Sequence, residues 1–331
     1  MEYARPPLRI SRRCPLPLIT IDDVHAAART IAGRVRHTPV LTADQLKTPL
    51  SDGVEVSLKL ELLQVTGSFK ARGATNRLMH LEPAQLERGI VAASGGNHGI
   101  ATARAGFTAG VPTTIYLPDN ATPAKIEKLK QWGADVRIVG SVWHEANAAA
   151  LAHVAETGAA YFHPFADPYV VAGQGTVGLE ILDQVPDVDV VLVAMGGGGL
   201  ISGVATALLA LRPKARVIGI EAEGCPVLLR ALEAGENIGL DRVTTSVATM
   251  ACARTEDSIF EIVRDTVDAI VLVSDDEMRA AARWLWFEMG LAADLSGAAA
   301  IAALREGRVR LSPGEKVCAI VCGAGPDALT T

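Results

Sequence analysis

Apolar residues along the chain fall into two alternating patterns. Short β-branched runs occur at Val54–Leu60, Ile90–Ala93, Thr113–Leu117, Val136–Val139, Val190–Ala194, Val217–Ile220, Ile270–Val273 and Val317–Val321. They are apolar along their length, not at every second position, which is the pattern of strands covered on both faces. Ala-rich segments with helical spacing lie between them: Ser68–Met79, His98–Ala109, Pro123–Gln131, His144–Glu156, Val170–Leu182, Leu200–Leu211, Asp275–Phe287 and Ser296–Leu304. Thr122 followed by Pro123, and Ser274 followed by Asp275 and Asp276, are helix-start signals. Strand and helix alternate over the whole chain with no fixed-period repeat and no low-complexity linker. Parallel sheets covered by helices follow from that alternation.

Composition narrows the function classes. Of 331 residues, 49% are hydrophobic and 21% charged, enough for a buried core and against wholesale disorder. Aromatics are only 4%, which argues against a base-stacking nucleic-acid binder. A net charge of -6 gives no electrostatic reason to expect DNA, RNA or an anionic membrane as partner. Five scattered cysteines (Cys14, Cys225, Cys252, Cys318, Cys322) contain no Cys-x-x-Cys pair, so neither a disulfide framework nor a zinc ribbon is indicated. A cytoplasmic setting is the expectation. Met1 to Thr20 lacks a continuous apolar stretch and reads as a loose arm, not a signal peptide. Val190 to Leu211 carries no charge, but Gly196–Gly199 interrupt it, so strand, glycine loop and helix explain it better than a membrane span.

In parallel sheets, ligands bind in loops leaving the carboxyl ends of strands. Four such loops stand out. After Leu60 comes a loop in which Gly67 delivers Ser68 as N-cap and places Lys70 in the first helical turn. A helix dipole and burial beside Phe69 both disfavour an ammonium there, which suits a Schiff-base nucleophile or a base. Alone, Lys70 reads more readily as a surface lysine on an amphipathic helix. After Ala93 comes Ser94-Gly95-Gly96-Asn97-His98, whose exposed amides suit a carboxylate, although an ordinary capped turn explains it too. After Ala194 and Met195 come Gly196, Gly197, Gly198, Gly199 and Leu200, a phosphate cradle at a helix start. A dinucleotide fingerprint lacks its third glycine there, yet Glu221 ends the next strand where a ribose-binding acid would sit. A nicotinamide-dependent dehydrogenase is therefore the alternative from a different class. After Val321 comes Cys322-Gly323-Ala324-Gly325, which alone reads as a buried cysteine beside a turn.

Together the four loops resemble the fold-type II pyridoxal-phosphate enzymes, most closely the serine/threonine dehydratase (threonine ammonia-lyase) branch. Lys59, Glu61, Gln64, Thr66, Gly67, Ser68, Phe69, Lys70, Arg72, Gly73 and Ala74 fill the branch's first motif, and Ala172–Thr176 follows in its order. The resemblance runs from about Asp22 to the C-terminus. It implies an α/β fold of two open parallel-sheet domains, of the tryptophan-synthase-β-like architecture. Residues 1–20 are the arm, 21–88 and 166–331 the larger cofactor domain, and 89–165 a smaller insertion. It implies pyridoxal 5'-phosphate held through the Lys70 amine, with Lys70 then acting as base at Cα. Phe69 would pack on the pyridine ring, Asn97 would meet its 3'-oxygen, and Gly196–Gly199 with Leu200 would bind the phosphate. Cys322 would face the pyridine nitrogen as a neutral neighbour, which favours prompt β-elimination over a long-lived carbanion. Ser94, Gly96, Asn97 and His98 would hold the substrate carboxylate. The implied reaction is dehydration and deamination of a β-hydroxy amino acid, L-threonine or L-serine, to 2-oxobutanoate or pyruvate and ammonia. A β-replacement synthase and a dehydratase of another β-hydroxy amino acid are the rivals, and a non-catalytic ligand-binding relative is a further one. A homodimer or homotetramer is implied, with no nucleic-acid or membrane partner.

The sequence departs from that pattern in places. Gly95 replaces the second hydroxyl of serine racemases, so racemisation should be weak. Glu221 matches the first acidic ligand of the branch's cation site, but the second falls on Val227, so no metal is expected. Ala248-Thr249-Met250 stands where Ala-Asp-Gly is common, and Met250 should reshape the substrate pocket. Asp294 stands where many relatives have Glu. The chain ends soon after its fourth loop, so the regulatory domain of biosynthetic threonine dehydratases is not expected.

Overall fold

The computed structural model describes residues 3–4, 18–51, 53–121 and 123–327. Its strands are β1 (Tyr3–Ala4), β2 (Val40–Thr42), β3 (Glu55–Lys59), β4 (Ile90–Ala93), β5 (Thr113–Leu117), β6 (Asp135–Ile138), β7 (Ala160–Tyr161), β8 (Val190–Ala194), β9 (Arg216–Ala222), β10 (Ala269–Val273) and β11 (Lys316–Ile320). They form two sheets. The larger has the order β1-β10-β9-β8-β11-β3-β2 and the smaller β6-β5-β4-β7. The smaller sheet is parallel throughout. In the larger one only the short edge strands β1 and β2 run antiparallel to their neighbours. The fold is therefore α/β with two mostly parallel sheets.

Burial explains the apolar runs. All five residues of β8 and all four of β4 are buried, because helices cover both faces. The eight sequence-read strands match observed ones to within about two residues at each end. β1, β2 and β7 were not anticipated, and neither were the helices Ile21–Ile31, Pro83–Arg88, Val227–Ala234 and Asp257–Thr266. Two of the missed strands are two residues long, too short for any periodicity. The Ile21–Ile31 helix did carry a signal, a Thr20/Asp23 capping box. Tyr3–Ala4 pairs with Ile270 and Ala269 at the sheet edge, whereas the remainder of the expected arm up to residue 17 lies outside the described residues. Thr122 and Cys14 lie outside them as well.

The smaller core draws Ala71, Ala74 and Leu78 from the Lys70–Met79 helix, together with Ile90, Ile115 and Leu117 of the small sheet. That helix packs also against Pro168–Gln184. Lys70 thus begins a helix wedged between the two cores. Its approach is fixed by charge. Arg72, 1% exposed, donates Nε to Glu61 at 2.8 Å and Nη1 to Glu180 at 2.6 Å, while fully buried Lys59 donates to the same Glu180 at 2.6 Å. Thr38 and Gln184 complete the network, so each buried charge has partners.

Candidate active site

The first and fourth loops meet directly, and the other two reach neighbouring segments. Ser68 forms a β-bridge with Gly323, Phe69 N donates to Cys322 O at 3.3 Å, and Ala324 N donates to Gly67 O at 2.8 Å. Asn97, from the small sheet's loop, donates Nδ2 to Asp294 Oδ2 at 3.0 Å. The 249–250 backbone passes so close behind Gly196 that a Cβ there would lie 2.9 Å from Thr249 O.

Lys70 is the first residue of its helix, and the N-cap is Phe69 in αR conformation. Ser68 is therefore not the N-cap that its residue type promised. Its backbone is extended to pair with Gly323, and its buried Oγ has no partner. Thr66 Oγ1 is likewise buried and unpartnered, and Thr66 adopts φ 67°, a left-handed conformation costly for a β-branched residue. Lys70 Nζ donates to Pro164 O at 2.6 Å and lies 5.1 Å from the Phe69 ring centroid. Burial lowers its ammonium to about 8, only partly opposed by Cys322 and Cys252.

Two glycine-capped helix N-termini have no side chain capping them. The Gly199–Leu211 helix has Gly198 as N-cap, at φ 90°, with no side chain capping it. Its first internal bond is donated by Ser202 N to Gly198 O, so the amides of Gly199, Leu200 and Ile201 have no intrahelical acceptor. Glycine is required behind this loop. A Cβ on Gly197 would collide with the Phe165 ring, and one on Gly199 would lie 2.6 Å from Phe165 O. Thr255 Oγ1 donates to Gly197 O at 2.8 Å and fixes the loop from the far side. The Asn97–Ala109 helix is also uncapped by any side chain, with Gly96 at its N-cap. An added Cβ on Gly96 would meet nothing within 4 Å, so this glycine borders open space. Ser94 Oγ accepts only a long 3.4 Å bond from Gly96 N.

His98 is placed otherwise than its motif suggests. Its imidazole is buried, Nε2 bonds Phe162 O at 2.9 Å, and Nδ1 has no partner. Burial, then the Lys70 charge, holds the ring down at about 3, so it is neutral. What His98 offers at the helix start is its backbone amide. Cys322 is 3% exposed, and burial pushes its thiol up, so it too is neutral. Its Sγ lies 3.8 Å from Ser296 Oγ. Met250 is 1% exposed and packs in the large core. Both Glu221 oxygens accept amides, from Leu228 and Leu229 at 2.9 Å each, and Val227 is buried and apolar. Among the described residues no group of three or more His, Cys, Asp or Glu side chains is placed to hold a metal ion.

Pyridoxal 5'-phosphate fits this donor set. Unpaired amides at a bare 13-residue helix suit a phosphate, an amine of lowered pKa suits an aldehyde, and buried unpartnered hydroxyls stand on the intervening loop. Sequence reading missed Pro164, Phe165 and Thr255, because a backbone acceptor and two back-side packing contacts leave no motif. It also gave Asp294 no role.

Comparison with known proteins agrees with this geometry. Residues 31–323 match the family model described as pyridoxal-phosphate dependent enzyme. The L-threonine ammonia-lyase of Thermotoga maritima is 40% identical over 94% of this chain and 76% of its own length. The phenylserine dehydratase of Ralstonia pickettii is 36% identical over 95% of this chain and 97% of its own. The solved structure of maize serine racemase superposes with a TM-score of 0.88 at 32% identity, covering 93% of this chain and 94% of that one.

Proposed function

The chain belongs to the pyridoxal-phosphate-dependent enzymes, and from that premise we propose that it dehydrates and deaminates a β-hydroxy amino acid, L-threonine foremost. The reading is supported by a Lys70 amine lowered to about 8 that bonds Pro164 O, by the bare Gly199 helix whose loop packs on the adjacent Phe165, and by a neutral buried Cys322.

When bound, the cofactor supplies an electron sink conjugated to the substrate's nitrogen, which acidifies the Cα–H. The protein's residues do the rest. The amides of Gly199, Leu200 and Ile201 anchor the phosphate, with Gly196–Gly198 shaping the approach. Phe69 walls the ring. Ser94, Gly96, Asn97 and the His98 backbone hold the substrate carboxylate at the second bare helix. Lys70 Nζ, released when the substrate amine takes its place, is neutral enough to accept the Cα proton. Pro164 O then holds the resulting ammonium by the contact it already makes. Cys322, held neutral by burial, would offer no charge to the ring nitrogen, a setting that would favour loss of the β-hydroxyl. The enamine released hydrolyses to 2-oxobutanoate, or to pyruvate from L-serine, with ammonia.

The phenylserine dehydratase of similar length supports a second reading, in which the β-substituent is larger than methyl. Met250 bears on this choice less than its replacement of glycine implied, because its side chain is buried in the core. The four described cysteines are all free thiols, which supports a cytoplasmic enzyme. No helix among the described residues is long and apolar enough to cross a membrane. Trp286 and Phe287, 46% and 70% exposed on one helix, support a homodimer or homotetramer, which analytical ultracentrifugation tests. The proposed activity is tested by giving the cofactor-loaded protein L-threonine, L-serine and 3-phenylserine and trapping 2-oxo acids. Threonine is expected to turn over with the highest kcat/KM. No 2-oxo acid from any of the three would overturn the reading, and a new amino acid formed on adding thiol would replace it by β-replacement.

A further inference from the structure

One carboxylate joins Asn97 and, through Ser296, Cys322, two residues that the family resemblance sets around the same cofactor ring, and the mechanism above does not use it. Asp294 is the N-cap of the Leu295–Arg305 helix. Its Oδ1 accepts from Gly297 N at 2.6 Å and from Ser296 Oγ at 2.7 Å. Its Oδ2 accepts from Asn97 Nδ2 at 3.0 Å, a bond between loops of the two sheets. Cys322 Sγ donates to the same Ser296 Oγ at 3.8 Å. A continuous chain therefore runs from Cys322 through Ser296 to Asp294 and, on its other oxygen, to Asn97.

The slot around this carboxylate is made of glycine. A Cβ on Gly323 would collide with Oδ2, one on Gly297 would come within 3.2 Å of Oδ1, and one on Gly325 within 2.8 Å of the Asp294 Cβ. Asp294 N donates to Gly323 O at 3.0 Å, which ties the acid to the loop after β11. The glycines of the fourth loop thus make room for an acid, a use that their position after a strand did not reveal.

The chemistry of the chain is directional. Burial and Asp327 raise the Asp294 carboxyl while bonds from Ser296, Gly297 and Asn97 oppose that rise, and in its ionised form the carboxylate only accepts hydrogen bonds. Asn97 must turn its amide nitrogen toward Asp294, and the second N–H of that nitrogen is left for a ligand. Ser296 has one proton, which it spends on Asp294, so its oxygen is left to accept from Cys322. The Cys322 proton is then committed to Ser296. The geometry points to Asp294 as a positioning residue that keeps Asn97 a donor and Cys322 a non-donor toward the cofactor ring. This rests on the reading that Asn97 and Cys322 both face that ring.

The test compares wild type, Asp294→Asn, Asn97→Ala, their double mutant and Ser296→Ala. Each purified apo-protein is titrated with pyridoxal 5'-phosphate, the absorption maximum of the bound form is recorded, and the melting temperature of the apo form is measured. Asn at 294 is nearly isosteric and still caps Gly297, so melting should stay within a few degrees. It removes the acceptor-only oxygen and lets Asn97 reverse. Asp294→Asn and Asn97→Ala are each expected to weaken cofactor affinity about tenfold and to shift the absorption maximum. The double mutant should be no weaker than the weaker single, because both cut one interaction. Ser296→Ala should shift the maximum without the tenfold loss. Wild-type affinity and spectrum in Asp294→Asn, or losses that multiply in the double mutant, would overturn the inference. An unchanged maximum in Ser296→Ala would overturn its Cys322 arm. If Asn97→Ala itself changes neither affinity nor spectrum, the reading of the site fails first and the inference goes with it.

Discussion

Lys70 differs from an ordinary lysine in having no carboxylate beside it, a carbonyl acceptor at 2.6 Å and an ammonium lowered by burial to about 8. Only the neutral amine attacks an aldehyde, and the neutral fraction rises with pH. The rate at which apo-protein takes up pyridoxal 5'-phosphate should therefore rise to half its maximum near pH 8, where an unshifted lysine would need a pH above 10. Absorbance-monitored reconstitution across pH checks this. Gly96 gives a second prediction at the same scale. A methyl there meets only open space, so Gly96→Ala should cost stability less than about 1 kcal/mol while raising KM for the amino acid several-fold. Thermal melts and steady-state kinetics separate the two effects. At this scale motifs singled out Lys70, Asn97, the glycines and Cys322 as candidates, because such chemistry needs particular residue types at fixed spacing. They did not reveal that the His98 ring turns inward, nor that Asp294 meets Asn97. Each depends on contacts between segments far apart in sequence, His98 with Phe162 and Asp294 with Asn97.

The elements around the site carry two costs that serve it. The first is the bare start of the Gly199–Leu211 helix, where Gly198 holds φ 90° and a Cβ would approach Ile259 to 2.6 Å. Gly198→Ala should cost roughly 1–3 kcal/mol and weaken cofactor binding, measured by denaturant melts and cofactor titration. The second is the buried network around Arg72. Burial alone would raise the Glu180 carboxyl, but hydrogen bonds and charge from Arg72 and Lys59 hold it below its ordinary range. A carboxyl lowered by folding contributes stability at neutral pH that is lost as pH falls through the lowered value. Glu180→Gln should remove about 3 kcal/mol at neutral pH by leaving buried cations short of charge, and the gap to wild type should narrow in acid. The sequence pattern placed Lys59, Glu61 and Arg72 in one motif, yet Glu180 sits in a Val- and Gly-rich helix with nothing to mark it. Its role follows only from the packing of that helix on the Lys70 helix and from its bond to Lys59 of β3.

The whole molecule is two mostly parallel sheets with loops from both meeting at Lys70. Alternation of apolar runs with Ala-rich helices made that architecture legible, since strands buried on both faces cannot alternate. The edges were not legible. β1 and β7 have two residues each and β2 has three, so pairing, not pattern, defines them. The Lys70–Met79 helix gives Ala71, Ala74 and Leu78 to a core on the small sheet and packs also against Pro168–Gln184. In the proposed function Lys70 would stand where a cofactor held by loops of the large sheet meets a substrate held by a loop of the small one. The measurement that addresses this most directly is borohydride reduction of the cofactor-loaded protein followed by peptide mapping. The account predicts the reduced cofactor on the peptide containing Lys70 and on no other, with none trapped in Lys70→Ala. Cofactor fixed to a different lysine, such as Lys59, or trapped undiminished in Lys70→Ala, would contradict it.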